Sequence, residues 1–240
     1  MFQIETRSVL EKISLACNAE DVAPILRNFI AEMGFDYFSY GVRWPIPITR
    51  QPVDILHNYP TGWMEHYKER NFLISDPTIV HGTRSSDLIY WDSSLFCTAT
   101  TLWNDAQDRG LRHGVAQSSW ANGGTFGLLS AARTHQPIGR DEYERLRLPF
   151  SWAANTFHAK LACILKKSSA NISSVTLTPR ERDVVLWTAE GKTAIEIAAI
   201  LGCTKRTVEF HLDNSTRKLG ASNKTHAVVY ALGMGLLTLQ

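Results

Sequence analysis

The sequence predicts two domains of different class: an α/β domain, an α/β/α sandwich on a largely antiparallel sheet, then an all-α domain of four helices with a helix-turn-helix. Three observations carry this expectation. The first 165 residues interleave about five strand-like runs with helical periods. A serine-rich stretch without periodicity, "KKSSANISSV" at 166–175, follows a long helical pattern and reads as an exposed linker. Beyond it the chain is punctuated only by helix starts and stops. The expected division is a first domain at 1–165, a linker at 166–175 and a second domain at 176–240.

Taken in order, helical periodicity covers 7–16 and 20–33, and "YFSYGVR" (37–43) and "PVDILHN" (52–58) are strand-like. Helices are expected at 60–70 and 75–82, a strand at "LIYW" (88–91), and a helix at 101–109. "GVAQSSW" (114–120) and "FGLLSAAR" (126–133) flank "ANGG", a hairpin turn because glycine accepts φ > 0. A helix spans 139–165, and Pro149 should kink or break it, since it lacks an N–H and clashes with the preceding turn. In the second domain, Thr178, Pro179 and Glu181 form a capping box with proline at the first helical position. Thr193 and Glu196 repeat the box, Gly202 stops that helix, a third helix ends at Gly220, and "NKTHAVVYALGMGLL" is the fourth.

Composition narrows the function classes. Hydrophobic content of 44% and charged content of 20% describe a soluble globular protein. No apolar run approaches the ~18 residues of a membrane span, and the opening "MFQIETRSVLEKIS" mixes charge with apolar periodicity, unlike a signal peptide. Cys17, Cys97, Cys163 and Cys203 are scattered, which fits reduced cytoplasmic thiols and argues against a zinc site. No G-x-S-x-G, His/Asp metal cluster or Cys/His arrangement suggests an enzyme, and no cofactor is expected. Residues 1–165 hold 15 Lys and Arg against 17 Asp and Glu, while 175–240 hold 8 against 6. The mildly basic second domain is compatible with nucleic acid.

A short helix, a glycine turn and a longer helix bearing Lys205, Arg206, Arg217 and Lys218 is helix-turn-helix grammar. Ile195, Ala198, Ile200, Leu201, Val208, Leu212 and Leu219 are expected to knit these helices together. Lys192 and Thr193 open the first of them; Thr204, Lys205, Arg206, Thr207 and His211 lie at or near the start of the second, where N–H and hydroxyl groups take phosphate oxygens. Glu209 and Asp213, four apart, either accept from cytosine N4 or lie along the groove edge and reduce affinity, the latter being favoured. The run 177–237, with "LTPRERDVV", "GKTAIEIA", "TVEFH" and "RKLGASNK", resembles the C-terminal domain of LuxR-type transcription regulators. The resemblance implies binding to double-stranded promoter DNA as a homodimer, on half-sites about one helical turn apart. It adds RNA polymerase as a further partner, with Val185 where some relatives carry a contacting leucine, and Ser215 at an often apolar position. The helix after Gly139 and the apolar last helix, with Val228, Val229 and Leu232, are the candidate dimer surfaces.

Tyr59, Trp63 and Tyr67 stand four apart, with Asp76 nine residues on. Taken singly these are a packing stripe and a helix cap. Jointly, with "FDYFSYGVR", "NYPTGWMEHY", "SDPT", "YW", "GLRHG" and "FGLLS", they resemble the acyl-homoserine-lactone-binding domain of quorum-sensing receptors over nearly all of residues 1–165. That resemblance implies that Trp63 donates to the lactone carbonyl, Asp76 accepts from the amide N–H, and Tyr59 and Ser130 hold the amide carbonyl. Thr78 lies near the head group, Trp91 packs on the lactone ring, and Tyr67 and Phe96 wall the cavity. Each buried methylene contributes ~0.8 kcal/mol, so the tail supplies most of the affinity and one methylene changes it about fourfold. Met64, where some relatives carry an arginine, favours an unsubstituted medium-length chain. The rivals are an orphan regulator answering another ligand or none, and a lactone hydrolase.

Overall fold

The computed structural model describes residues 6–168 and 175–237. The chain divides into two compact units: Met1–Arg43, Val53–Ala121 and Phe126–Ser168 form one, and Trp44–Pro52, Asn122–Thr125 and Ser169–Gln240 the other. The single cut expected at the serine-rich stretch is therefore simpler than the observed division. Most of that stretch, 169–174, lies outside the described residues.

The first unit is built on a five-stranded sheet, order β2-β1-β5-β4-β3, from β1 (Tyr37–Arg43), β2 (Val53–His57), β3 (Ile89–Tyr90), β4 (His113–Ala121) and β5 (Thr125–Arg133). β1 pairs antiparallel with both β2 and β5, and β3 pairs antiparallel with β4. Side chains alternate across a strand, and β1 shows the consequence. Phe38, Tyr40 and Val42 are buried toward α2 (Ala19–Glu32) and α6 (Arg140–Ser168), where the Tyr40 hydroxyl meets His158 Nδ1 at 2.6 Å. Phe29 of α2 packs edge-on to Phe157 of α6, ring centres 6.0 Å apart. The opposite face of the sheet carries α3 (Trp63–Glu69), α4 (Pro77–Gly82) and α5 (Thr100–Asp108). α1 (Thr6–Leu15) packs beside α2.

Three expectations need correction here. Helix α6 continues through Pro149, so of the kink or break expected there the break does not occur. Leu146, Phe150, Ala153 and Phe157 are fully buried along it, so packing on the sheet offsets the one hydrogen bond that proline removes. The same helix reaches Ser168, into the expected linker, because no residue there stops it. Finally, the helix expected at 60–70 begins only at Trp63, with Gly62 as its cap, so Tyr59 lies on the connection from β2 and not on the helix.

The second unit contains α7 (Pro179–Ala189), α8 (Ala194–Leu201), α9 (Lys205–Lys218) and α10 (Lys224–Gly233). Both capping boxes form: Glu181 accepts from the Thr178 N–H at 2.8 Å, and Glu196 from the Thr193 N–H at 2.8 Å. Gly202 ends α8 at φ 64°, a left-handed turn that glycine adopts without a Cβ penalty, and Thr204 caps α9 two residues later. The core differs from the expected set. Ile195 and Ile200 are exposed, and Ile197 takes the buried position with Val184, Ala198 and Val208. Val185 is fully buried with Leu219, Ala227 and Ala231, so it cannot present its side chain to a polymerase. Ser215 is also fully buried, and its hydroxyl donates to the His211 carbonyl at 2.8 Å, which removes the cost of a polar group in the core.

Candidate functional site

In the first unit, the sheet face opposite α2 and α6 and the helices α3 to α5 enclose a cavity of about 510 Å³. Tyr59, Trp63, Tyr67, Asp76, Thr78, Trp91, Phe96 and Ser130 all line it, so the structure brings the eight residues singled out in the sequence to one cavity. Most of the remaining surface is apolar, including Ile55, Met64, Leu102, Leu111, Phe126 and Leu128. Strand alternation supplies further lining residues that sequence reasoning missed: Ser39, Gly41 and Arg43 on β1, with Val53 and Ile55 on β2. Their signal was the period of two on strands whose register only pairing reveals.

The polar groups cluster. Asp76 is the N-cap of α4, and its Oδ1 accepts from the Thr78 N–H at 2.8 Å and the Thr78 hydroxyl at 2.6 Å. Its Oδ2 accepts from the Tyr67 hydroxyl at 2.8 Å. Cap and cavity roles thus coincide, because α4 starts at the cavity wall. Burial pushes the Asp76 carboxyl above its ordinary range, against the lowering pull of bonds from Thr78, Tyr67 and Ile79. Burial also raises the Tyr59 and Tyr67 hydroxyls, and the nearby Asp76 charge adds to both, so each stays protonated. Ser130 lies close enough to the Tyr59 hydroxyl to pull against that rise. Of the roughly four acceptor sites of a carboxylate, Oδ1 receives the two bonds from Thr78 and Oδ2 the one from Tyr67, so a guest N–H would have to approach Oδ2.

Aromatic packing fixes the rest. Trp63 and Tyr67 meet edge to face at 6.0 Å between ring centres, and the Arg109 guanidinium lies 5.5 Å over the Trp63 ring. Trp91 stands edge-on to Phe96, which stacks on Trp103 at 4.7 Å. His66 joins α3 to α5 through Asp105 at 2.7 Å. This is a pocket of mostly apolar lining with a few donors and acceptors among it, the composition of a small-molecule site.

In the second unit, Lys192, Thr193, Thr204, Lys205, Arg206, Glu209, Asp213 and Arg217 are exposed, while Thr207 and His211 are half-buried. Thr193 and Thr204 spend their hydroxyl oxygens as helix caps. Glu209 pairs with Lys205 at 3.4 Å, so part of the positive charge on the exposed α9 face is compensated internally. Lys218 is held 2.7 Å from buried Glu181 and ties α9 to α7. Arg217 bonds to Asn214. Among the described residues, no cluster of His, Cys, Asp and Glu could hold a metal ion, and no helix is long and apolar enough to cross a membrane.

Comparison with known proteins matches both units. The autoinducer-binding-domain family covers residues 18–161, and the luxR family of bacterial regulatory proteins covers 175–231. The chain is 46% identical over 222 residues to the transcriptional activator protein SolR of Ralstonia nicotianae, spanning 91% of this chain and 94% of that one. It is 38% identical to the HTH-type quorum-sensing regulator RhlR of Pseudomonas aeruginosa, over 92% of this chain and 91% of that protein. The solved structure of SdiA in complex with octanoyl-rac-glycerol superposes with a TM-score of 0.81 at 33% identity, covering 98% and 96% of the two chains.

Proposed function

Because the chain belongs to the LuxR-type regulators, with an autoinducer-binding domain ahead of its DNA-binding helix-turn-helix, we propose that it binds an N-acyl-homoserine lactone in the cavity and reads promoter DNA as a homodimer. The observation that carries this reading is the pairing, in one 510 Å³ cavity, of an apolar wall with Tyr59, Trp63, Asp76 and Ser130. An acyl-homoserine lactone offers a lactone carbonyl, an amide N–H, an amide carbonyl and an alkyl tail. Trp63 donates to the first, Asp76 accepts from the second, and Tyr59 with Ser130 serves the third. Thr78 steadies Asp76, Trp91 packs on the lactone ring, and Tyr67 and Phe96 complete the wall.

Ligand and fold are coupled by mass action: a lactone bound only to the native chain stabilises it in proportion to its free concentration. In the second unit Lys192, Thr193, Thr204, Lys205, Arg206, Thr207, His211 and Arg217 contact phosphate and bases. Glu209 and Asp213 temper the affinity, and Lys218 acts mainly by holding α9. The chain acts in the cytoplasm without cofactor or catalysis, with RNA polymerase recruited through surfaces other than Val185.

A second reading has an observation of its own: SdiA holds octanoyl-rac-glycerol, and a monoacylglycerol would present hydroxyls to the same polar groups. Thermal unfolding of the purified chain with a series of acyl-homoserine lactones, and with octanoyl-rac-glycerol, separates the two. A rise in melting temperature with one or two lactones supports the first. A rise with the acylglycerol alone supports the second. Loss of intact lactone over time would expose a hydrolase.

A further inference from the structure

Three glycines sit inside the strands of the sheet, and two have a packing reason. A Cβ on Gly114 would lie 2.6 Å from the Trp91 ring, and one on Gly127 would lie 2.3 Å from His158. Gly41, in the middle of β1, has neither cause. It is not among the residues with positive φ, and a Cβ built there meets nothing within 4 Å. Glycine weakens a strand interior and often marks a place where a ligand approaches the backbone closely. The open space beside Gly41 is the cavity, which Gly41 lines.

The register gives this position a meaning. Ser39 pairs with Ser130, Gly41 with Leu128 and Ile55, and Arg43 with Phe126 and Val53. Residues directly opposite share a face, so the cavity floor is a series of rows across three strands. The row of Ser39 and Ser130 carries the polar contact to Tyr59. The next row, Ile55–Gly41–Leu128, lies two residues further, about 7 Å along the strands, and has a gap at its centre. Beyond it come Val53, Arg43 and Phe126, with the Arg43 guanidinium 4.8 Å over the Phe126 ring. A tail anchored at Ser130 must pass over Gly41 to reach that last row.

We propose that Gly41 sets how long an acyl chain the cavity takes: its missing side chain is the passage between the polar row and the distal row. This rests on the acyl-ligand reading above. A Cβ at position 41 strains no backbone and meets no neighbour within 4 Å, so a side chain there projects into the cavity and narrows the passage as it grows. Each methylene barred from burial costs about fourfold in affinity, so excluding three or four of them costs on the order of a hundredfold.

The test uses the full chain as wild type, Gly41→Ala, Gly41→Val and Gly41→Val/Leu128→Ala, each melted with N-butanoyl-, N-octanoyl- and N-dodecanoyl-homoserine lactone. The expected result is that Gly41→Val loses the octanoyl and dodecanoyl responses while its butanoyl response stays within about twofold, the saving coming from methylenes that never reach the row. Gly41→Ala is the milder arm and should lose about fourfold with the octanoyl ligand. Shortening Leu128 beside the new valine should restore the long tails. An octanoyl response unchanged in Gly41→Val, or equal loss of all three ligands without rescue by Leu128→Ala, overturns the inference. A wild type that answers butanoyl but not octanoyl overturns it as well. If no lactone stabilises the wild type, the lactone reading fails, and the same variants with octanoyl-rac-glycerol decide Gly41, which needs only an acyl tail.

Discussion

Replacing Asp76 by asparagine should make the ligand-free chain no less stable while weakening its hold on a lactone. Asparagine is as good an N-cap as aspartate, so α4 keeps its start. The Tyr67 hydroxyl, which donates to Oδ2, can instead accept from an amide. What disappears is a buried negative charge. Burial raises the Asp76 carboxyl above its ordinary value, so the folded state disfavours the ionised form. A group with a raised folded pKa leaves the protein less stable above that pKa. Stability is recovered as pH falls through the folded value toward the unfolded one near 3.9. Wild type should therefore gain from mild acid in that window and Asp76→Asn should not. At neutral pH the variant should melt at or above wild type. With ligand the order reverses. Exchanging a charge-assisted hydrogen bond for a neutral one costs about 1 kcal/mol, roughly fivefold in Kd. At a lactone concentration one hundred times the wild-type Kd, stabilisation then falls from about 2.7 to about 1.8 kcal/mol. Thermal unfolding across a pH series, with and without N-octanoyl-homoserine lactone, reads both effects. A variant that melts well below wild type without lactone, or keeps the full ligand-induced shift, would refute this account of Asp76.

Three further outcomes follow from the same geometry. Tyr59→Phe removes the hydroxyl that faces the cavity beside Ser130; lactone affinity should fall by about 0.5–1.5 kcal/mol, read by titration calorimetry, with little change in unliganded stability. Glu181→Gln should loosen α7 from α9 by about 1.5–3 kcal/mol, seen as faster hydrogen exchange in both helices. Burial raises this carboxyl, but Lys218 and the Thr178 N–H together hold it below its ordinary value. Its contribution is thus present above the unfolded pKa and lost as pH falls through the folded one. Glu209→Gln releases Lys205 from an exposed ion pair and should tighten DNA by up to about 1 kcal/mol, measured as a shifted salt titration. Unchanged affinity would place Glu209 and Lys205 away from the phosphates.

Most of the element order was legible because local signals agree with the fold. All five strands and both capping boxes lie where period and cap residues put them. Several misses arise where packing decides what a local rule forbids or leaves open. Pro149 sits in an unbroken helix because its neighbours Leu146 and Phe150 are buried. Ile197, not Ile195 or Ile200, faces the core because a short helix of nearly all apolar residues does not declare its inner face. Val185 is as apolar as a contact residue would be, and only burial removes it from the surface.

By itself, the sequence determined the two fold classes and the order of their elements, since these rest on spacing along the chain, while the polar set of Tyr59, Trp63, Asp76 and Ser130 came from its resemblance to a known family. Tertiary structure alone decided that Tyr67 and Thr78 both grip Asp76, that Lys218 holds Glu181, and that Gly41 faces open cavity between Ile55 and Leu128. Spacing reports which residues can share a face of one element. Which faces meet is set by strand register and helix packing, where residues far apart in the chain become neighbours.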